Sequence, residues 1–468
     1  MTELVFPAGF RWGSATSSFQ IEGAAETDGR TPSIWDTFCD VPGAIAGGDD
    51  GRLGVDHYHR YAEDVALMSA LGLDTYRFSV SWSRVMKADG TVNRAGMDFY
   101  SRLVDELGDA GIEPWLTLYH WDLPEFLPGG WLNRDTAAHF ADYASAVHAA
   151  LGDRVRIWTT LNEPWCASFV SYGAGEHAPG HTDPVETVRA AHHLMLAHGW
   201  GTQALRAADA DAKLGITLNF GPVAPVNPND PGDVDQARRI DGTVNRFFLE
   251  AVVKGAYPTD VLSDFGPWWD PSLIADGDQA AIATPIDLLG INYYATSVVR
   301  APHPGEVVEH QRIVRGRTVA SPHITAPDAI TVPRDLPVTS LGWEIDPDGL
   351  EGLLLRLHRD YTGPAGIGLV ITENGAAFAD QDRAADQTIL DLDRLDYLRG
   401  HLAACHRAIS AGVDLRGYLV WSLMDNFEWA HGYGQRFGIL AVDSDLGRRP
   451  KASAHWYADV ARSGRLIL

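Results

Sequence analysis

A strand that ends in a carboxylate decides the fold: residues 156–164 read RIWTTLNEP. The run of β-formers ends at Glu163, because Pro164 cannot donate a hydrogen bond to a neighbouring strand. Residues 368–375, GLVITENG, have the same construction, with an apolar strand, then Glu373, and then a glycine that permits a tight turn. If both strands belong to one parallel barrel, both carboxylates lie at the same mouth.

Six further segments have the composition of strands, and helical patterns separate them. One such pattern is the stripe of Tyr61, Val65 and Met68, which predicts a helix that ends near Gly72. The eight predicted strands are residues 10–16, 75–82, 113–121, 156–164, 213–220, 287–294, 368–375 and 415–422. Strands that alternate with helices indicate a parallel sheet, and eight units favour an α/β fold of the closed (β/α)8 type, the TIM barrel.

The chain is longer than a minimal barrel requires. A barrel needs only about 250 residues, so we expect roughly 200 further residues in extended βα loops. The clearest insertions are residues 222–231 and 302–333, which are rich in turn-forming residues. Strand candidates continue on both sides of these segments, so neither has the character of a domain linker. We therefore expect residues 1–468 to form a single (β/α)8 barrel catalytic domain.

Composition excludes several classes of partner. The formal net charge of -25 opposes binding to nucleic acid or to an anionic membrane, since both need a basic face. We expect neither a secretory signal nor a membrane span, because the sequence begins without a basic and apolar leader and no window approaches 18 apolar residues. Cys39, Cys166 and Cys405 are odd in number and far apart in sequence, which predicts free thiols and a cytoplasmic location. Nothing in the sequence indicates the oligomeric state.

An opposed pair of carboxyl groups is what the hydrolysis of a glycosidic bond requires. One carboxylic acid protonates the leaving oxygen, while the partner acts on the other side of the anomeric carbon. A separation of ~5 Å makes the partner a nucleophile and the reaction retaining, whereas ~6.5–9.5 Å leaves room for a water molecule and makes it inverting. The strand pattern by itself leaves both outcomes open.

Seven ordered segments resemble glycoside hydrolase family 1, the β-glucosidases and their relatives, across essentially the whole chain. They are residues 10–23, 77–82, 119–124, 160–164, 292–294, 371–375 and 421–429. The resemblance implies a retaining β-glucosidase that acts on small-molecule β-glycosides without a metal or cofactor. It would release terminal non-reducing β-D-glucosyl residues from short oligosaccharides or glucosides through a covalent glycosyl-enzyme.

The resemblance also implies a role for each catalytic residue. Glu373 would be the nucleophile, and Glu163 the acid that then serves as base. Arg77 would keep the nucleophile ionised, since a neighbouring cation favours the charged carboxylate. Asn162 would hold the 2-hydroxyl of the sugar, and Tyr294 would donate a hydrogen bond to the nucleophile.

The remaining matches form a sugar-binding set. Sugars present hydroxyls at their edges and C–H groups on their faces, so a sugar-binding site needs polar side chains around an aromatic platform. The resemblance places these residues around the terminal sugar: Gln20, His120, Trp121, Asn292, Trp421, Glu428, Trp429 and Phe437. It places Trp165 and Trp343 on the aglycone side. An acidic residue at position 428 suits a neutral sugar better than a 6-phosphorylated one.

Several alternatives stay open. Within the family these are β-galactosidase and β-fucosidase activity; outside it, a non-catalytic sugar-binding barrel or a metal-dependent barrel hydrolase. His57 and His59 form an H-x-H pair, but they lie near a predicted helix start rather than on a strand, which argues against a metal site. Cys166 is a second candidate nucleophile, although a cysteine without an identified base is typically a small buried apolar residue.

Overall fold

Eight parallel strands close into a barrel in the computed structural model, which describes residues 2–468. They are β1 Arg11–Ala15, β2 Thr75–Ser79, β3 Glu113–Tyr119, β4 Ile157–Asn162, β5 Lys213–Phe220, β6 Leu288–Tyr293, β7 Gly368–Asn374 and β8 Leu415–Trp421. Each strand pairs with the next along the chain, and β8 pairs with β1 to complete the ring. The predicted (β/α)8 barrel is confirmed.

Helices alternate with the strands. The main ones are α1 His57–Leu71, α2 Arg94–Asp109, α3 Asp135–Leu151, α4 Pro184–Ala208, α5 Pro231–Asp241, α6 Phe247–Lys254, α7 Pro347–Leu357, α8 Leu392–Ser410 and α9 Ala452–Ser463. Shorter helices span Ser18–Ile21, Ile34–Cys39, Trp82–Val85, Thr259–Phe265, Asp278–Ile282 and Gly363–Ala365. As predicted, α1 ends at Gly72, whose φ of 74° is left-handed.

The interior of the barrel is a packed core and not a pore. Trp115, Ile157, Leu288, Val370 and Leu419 come from five different strands and form one buried cluster inside the ring. Successive side chains of a strand point to opposite faces, so the residues between them pack outward against the helices. The apolar cluster closes the barrel beneath its mouth.

The two predicted insertions contain short strands, and some of these pair with Ser297–Arg300, which lies outside both. A three-stranded sheet is formed by Val223–Pro225, Ser297–Arg300 and Ile330–Thr331, and Gln311–Val314 pairs with Arg317–Ala320 in a hairpin. These strands are only two to four residues long, too short for an alternating pattern to be visible in the sequence. Two further pairs lie outside the barrel: Glu3–Val5 with Arg465–Ile467, and Leu440–Val442 with Arg448–Pro450.

Two other features of residues 2–468 bear on the expectations from composition. No helix in this part of the chain combines the length and the apolar character needed to cross a membrane. Cys39, Cys166 and Cys405 are all free thiols.

Gly13 on β1 tests the packing of the barrel. A Cβ atom at this position would lie 2.1 Å from the carbonyl oxygen of Thr75 on β2, so Gly13→Ala must push two paired strands apart. We expect the free energy of unfolding to fall by about 1–3 kcal/mol, the usual cost of overpacking, measured by chemical denaturation. Gly108→Ala on α2 is the matched control, because a Cβ there meets nothing within 4 Å and alanine favours a helix by about 1 kcal/mol. Equal stability of the two variants would contradict the prediction.

Candidate active site

One cavity of about 690 Å³ opens at the carboxyl end of the barrel. Both glutamates that end strands, Glu163 and Glu373, line it, and both are nearly buried, with 5% and 3% of their surface exposed. The other predicted site residues that line the cavity are His120, Trp121, Trp165, Asn292, Tyr294, Trp343, Trp421, Glu428, Trp429 and Phe437. The sequence-based expectation that folding brings the two carboxylates to one site agrees with this arrangement.

Irregular pairing at the ends of β4 and β7 aims the two glutamates. The register of β4 with β5 shifts between Thr159 and Asn162, and that of β7 with β6 shifts between Ile371 and Glu373. Glu163 follows with a φ of 48°, which is uncommon for a residue with a side chain. Bulges of this kind re-aim side chains beside active sites, so both carboxylates depart from the strict alternation of their strands.

A buried arginine on β2 joins Glu373 on β7 to the end of β4. Arg77 on β2 donates from Nη1 to Glu373 Oε1 at 2.6 Å and from Nη2 to Asn162 Oδ1 at 2.6 Å. The hydroxyl of Tyr294 donates to the other oxygen of Glu373 at 2.7 Å. Arg77 and Asn162 are fully buried and lie behind the cavity wall rather than in it. The carboxylate of Glu373 is therefore held on both oxygens.

Glu163 has a different environment. Its Oε1 accepts a hydrogen bond from Asn292 Nδ2 at 2.6 Å, and Thr372 Oγ1 fixes the orientation of that amide by donating to Asn292 Oδ1 at 2.8 Å. Among residues 2–468, no cation is paired with Glu163. Burial, reinforced by the charge of Glu373, raises the pKa of Glu163 to about 7.

Burial also raises the pKa of Glu373, but Arg77 and the hydroxyl of Tyr294 oppose that effect. The cation and the two hydrogen bonds stabilise the ionised form of Glu373. Of the two carboxyl groups, Glu163 is thus the one that holds a proton near neutral pH. Unequal environments of this kind separate the acid from the carboxylate in a glycosidase.

His120 is set up to donate a hydrogen bond. Burial, together with the charge of Arg77, lowers the pKa of His120 well below its usual value, so the ring is neutral. Its Nε2 lies 3.1 Å from Asn162 Nδ2 and accepts from that amide, which assigns the ring proton to Nδ1. Nδ1 has no partner within residues 2–468. A sugar hydroxyl in the cavity would satisfy it.

Aromatic rings form the floor around His120. The ring of His120 stacks 5.7 Å from that of Trp421 and 5.9 Å from that of Trp429, and Trp121 lies 4.6 Å from Trp429. Glu428 precedes Trp429, and burial beside the charges of Glu373 and Glu163 raises its pKa to about 8. These groups offer a sugar one apolar face and several polar edges.

Gln20 lies outside the lining of the cavity and has no exposed surface. Its Nε2 donates to Phe427 O at 2.8 Å and to Asn426 Oδ1 at 3.1 Å, and Ser17 Oγ donates to its Oε1 at 2.6 Å. These contacts fix the segment just before Glu428. The predicted contact between Gln20 and the sugar stays a prediction.

A cluster of buried charges holds the loop that carries Glu428, Trp429 and Phe437. Lys451 Nζ donates to Asp425 Oδ1 at 2.8 Å and to Asp380 Oδ2 at 2.6 Å. Asp425 Oδ1 also accepts from Gly438 N at 2.9 Å, so one carboxylate joins the two ends of the segment 425–438. Arg394 completes the cluster through Asp380 at 2.9 Å. The sequence analysis missed these residues, because pairing between distant charges leaves no local pattern.

Two further lining residues are His177, which the sequence analysis did not identify, and Cys166, which it named only as an alternative nucleophile. His177 packs 5.1 Å from Trp121, and burial lowers its pKa to about 3. Cys166 lines the cavity one helical turn after Glu163 and is half-buried, which makes it more accessible than the buried residue expected. Burial and the charge of Glu163 raise the pKa of its thiol well above the usual value, so it is not a thiolate nucleophile. Cys166 begins the helix-like segment Cys166–Ala174 that follows β4, and His177 lies three residues beyond its end, so neither belongs to a strand-end motif.

The H-x-H pair has a structural role. His57 lies at the start of α1, as predicted, and its Nδ1 lies 2.7 Å from Asp64 Oδ2 on the same helix. Asp64 also pairs with Arg448 at 2.7 Å. Within residues 2–468 there is no group of three or more histidine, cysteine or acidic side chains arranged to hold a metal ion.

Two buried glutamates at the mouth of an eight-stranded barrel define a barrel glycosidase. The sequence profile described as "Glycosyl hydrolase family 1" matches residues 2–465, and the chain belongs to this family. It is 49% identical to a thermostable β-glucosidase B of Thermobispora bispora, covering 99% of this chain and 92% of the relative. It is 45% identical to a bifunctional β-D-glucosidase/β-D-fucosidase of Bifidobacterium breve, covering 97% of each. A crystal structure of a psychrophilic β-glucosidase from Micrococcus antarcticus superposes with a TM-score of 0.93 at 48% identity, covering 98% of both chains.

Removal of Lys451 tests the buried charge cluster. Lys451→Met would leave the carboxyl groups of Asp380 and Asp425 without their shared ammonium, and breaking a buried ion pair costs about 3–5 kcal/mol. We expect a loss of that order in the free energy of unfolding and a higher KM for glucosides, because the loop from 425 to 438 loses its anchor. Lys87→Met is the matched control at an exposed lysine and should change neither quantity measurably. Unchanged stability of Lys451→Met would show that the cluster contributes nothing.

Proposed function

We propose that this protein is a retaining β-glucosidase that releases terminal β-D-glucosyl residues from short oligosaccharides and glucosides. The observation that carries the proposal is one cavity with two buried glutamates in opposite proton environments. Arg77 and Tyr294 stabilise the charged form of Glu373, whereas burial next to that charge keeps a proton on Glu163. Family membership and the β-glucosidases among its relatives support the same function.

The first step forms the glycosyl-enzyme. Glu373 attacks the anomeric carbon, and the bond from that carbon to the aglycone oxygen breaks. Glu163 donates its proton to the departing oxygen, so the aglycone leaves as a neutral alcohol. The glucosyl group is now esterified to Glu373, with its configuration inverted once.

The second step returns the enzyme to its starting state. The negative charge of Glu373 is one cause of the raised pKa of Glu163. Esterification removes that charge, so the pKa of Glu163 falls. Glu163 therefore becomes a carboxylate that can take a proton from water. The resulting hydroxyl attacks the anomeric carbon, the ester to Glu373 breaks, and the second inversion restores the β configuration.

The sugar would be held by the polar groups that the protein leaves free. His120 Nδ1 is a donor without a partner in residues 2–468, and Glu428 offers a carboxyl group in the same cavity. Asn162 is oriented by Arg77 and Asn292 through its Oδ1, and one hydrogen of its Nδ2 donates to His120 Nε2, so the second Nδ2 hydrogen is the donor left for the sugar. We assign Asn162 to the 2-hydroxyl and Trp421 and Trp429 to the sugar face. Gln20, which is buried outside the cavity lining, would support the segment before Glu428.

β-Fucosidase activity is a second candidate, because a relative with 45% identity is named for both reactions. D-Fucosides lack the 6-hydroxyl and carry an axial rather than an equatorial 4-hydroxyl, so activity on them depends on how Glu428 binds at both positions. Another relative, from Thermotoga neapolitana, is named a 1,4-β-D-glucan glucohydrolase at 40% identity. Short fragments of cellulose are therefore among the substrates we propose.

We further propose that residues 1–468 act as one catalytic domain. The barrel strands span residues 11–421, and the charge cluster links α8 and the segment before α9 to the active-site loop. The predicted cytoplasmic location and the absence of a nucleic-acid partner stay predictions from the charge and the cysteines.

The pH profile tests the assignment of Glu163. Since this residue must be protonated to act as the acid and its pKa is about 7, kcat/KM for a β-glucoside should fall about tenfold per unit as the pH rises above 7. Asn292→Ala removes a hydrogen bond that favours the carboxylate of Glu163, so the pKa of Glu163 rises. The alkaline limb of the pH profile, in which kcat/KM falls, therefore moves to higher pH. Asn219→Ala is the control, because Asn219 lines the same cavity without bonding to Glu163. An alkaline limb that stays in place in Asn292→Ala would contradict the assignment.

Replacement of the nucleophile tests Glu373. Glu373→Gly should lower kcat for an aryl β-glucoside by about 10⁴-fold or more, because no covalent intermediate can form. An α-glucosyl fluoride presents its leaving group from the side that Glu373 occupied, so the variant should use it with Glu163 as general base. Full hydrolysis of the aryl β-glucoside by Glu373→Gly would refute the role.

A further inference from the structure

A second cavity lies between the helices that surround the barrel. Its volume is about 500 Å³, which falls in the range of small-molecule sites. Its walls come from residues 132–134 before α3, one face of α4, and residues 268–273. None of its lining residues lines the cavity that holds Glu163 and Glu373. We call this second cavity the side cleft.

Helix α4 places three side chains in the side cleft: Val185, Arg189 and His193. They are spaced four residues apart, so they lie along one face of the helix. Val185 and Arg189 are exposed, whereas His193 has only 4% of its surface exposed. The side cleft therefore has an arginine near its opening and a histidine at its base.

One nitrogen of His193 is left for a ligand. Its Nδ1 lies 2.8 Å from Trp131 O, and since a carbonyl oxygen can only accept, the ring proton is on Nδ1. Burial lowers the pKa of His193 to about 4, so the ring is neutral near neutral pH. Nε2 is then an acceptor, and nothing in residues 2–468 donates to it. A ligand that enters the side cleft has to bring a hydrogen-bond donor.

Trp268 supplies an apolar surface on another wall of the side cleft. Its indole is half-buried, because it packs against the main hydrophobic core and also lines the side cleft. Leu132 and Leu273 add aliphatic groups to the lining. An indole is a large, rigid apolar surface, which suits the C–H face of a ring-shaped ligand.

The charges of the side cleft are balanced. Arg134 donates to Asp278 Oδ2 at 2.7 Å, so its charge is paired. A hydrogen bond from Ser272 N, together with the charge of Arg189, lowers the pKa of Asp270, which keeps a carboxylate beside that arginine. An anion would find no surplus of positive charge, and a pure hydrocarbon would leave the histidine nitrogen unpaired. The lining favours a neutral ligand with hydroxyls and one apolar face, which describes a pyranose sugar.

The walls are fixed to each other before a ligand arrives. Asp278 Oδ2 accepts from Ala275 N at 2.8 Å and lies 3.2 Å from His192 Nε2, in addition to its bond with Arg134. One carboxylate thus joins α4 to the residues before α3 and to the segment that follows residue 273. A site that is already formed loses less entropy when it binds a ligand.

We propose that the side cleft is a second carbohydrate-binding site, separate from the active site, which takes one glucopyranose ring. The C–H face of the ring packs on Trp268, one hydroxyl donates to His193 Nε2, and another accepts from Arg189. The inference goes beyond the proposed function, because neither glutamate lines the side cleft and the sugar is bound there without being hydrolysed. Only the choice of glucose as the ligand rests on the proposed function, which releases it.

Fluorine NMR of enzyme labelled with 5-fluorotryptophan measures binding at the side cleft directly. The resonance of Trp268 is the one that disappears in Trp268→Phe. Glucose should shift this resonance in a saturable way, with half-saturation on the order of 10 mM for one stacked ring and a few hydrogen bonds. Sorbitol carries similar hydroxyls without a ring, so it should cause no saturable shift. A Trp268 resonance that ignores glucose, responds equally to sorbitol, or responds to inorganic phosphate instead would overturn the inference.

Removal of Arg189 locates the effect. Arg189→Ala deletes the donor near the opening, so the glucose concentration at half-saturation should rise about three- to tenfold, as expected for the loss of one hydrogen bond. Arg102→Ala is the matched control, since Arg102 is an exposed arginine on α2 that does not line the side cleft, and it should keep the wild-type value. Glucose also enters the active site, and a shift transmitted from there to Trp268 would be the same in Arg189→Ala. An unchanged titration of that variant would therefore overturn the inference.

The two proposals fail in distinguishable ways, because the NMR titration detects bound sugar without any turnover. If the enzyme hydrolyses β-glucosides and Trp268 does not respond to glucose, the proposed function stands and the side cleft binds no sugar. If the enzyme hydrolyses no β-glucoside but the Trp268 resonance shifts as described, the proposed function is wrong and the side cleft still binds glucose.

Discussion

The guanidinium of Arg77 is the contact on which the site depends. It is fully buried and binds the ends of two other strands, through Glu373 on β7 and Asn162 on β4. A cation in such a place is costly unless every charge is paired and hydrogen-bonded. Glu373 provides the pairing, and the barrel gains a fixed cross-link at its mouth. The same contact keeps one glutamate ionised and, through that charge, keeps the proton on Glu163.

Most of the fold could be predicted from local sequence. Each predicted barrel strand contains the observed one, with boundaries that differ by no more than three residues, because apolar β-forming runs with turn residues at their ends are local signals. The strand at residues 75–82 ended early, at Ser79, because Trp82 begins a short helix. The sheet that Val223–Pro225 and Ile330–Thr331 form with Ser297–Arg300 was missed, since its strands are far apart in the sequence and too short to show an alternating pattern.

The residues of the site could largely be predicted from the sequence, but the hydrogen bonds and ion pairs between them could not. The positions of Glu163 and Glu373 followed from strand ends, and the family motifs supplied the aromatic and amide residues. The sequence could not reveal which group bonds which. Gln20 satisfies the backbone near Glu428, and Lys451 joins two carboxylates 26 and 71 residues away. Such contacts arise only when the whole barrel is assembled, so no window of sequence contains them.

The closure of residues 425–438 by a single carboxylate has an evolutionary consequence. Asp425 makes its contacts with Gly438 and Lys451 outside the stretch that carries Glu428, Trp429 and Phe437. Mutations within that stretch can accumulate while the contacts of Asp425 with Gly438 and Lys451 remain. A change of the side chain at one of these three positions therefore leaves the contacts of Asp425 in place, so it can alter the choice of sugar without removing the closure.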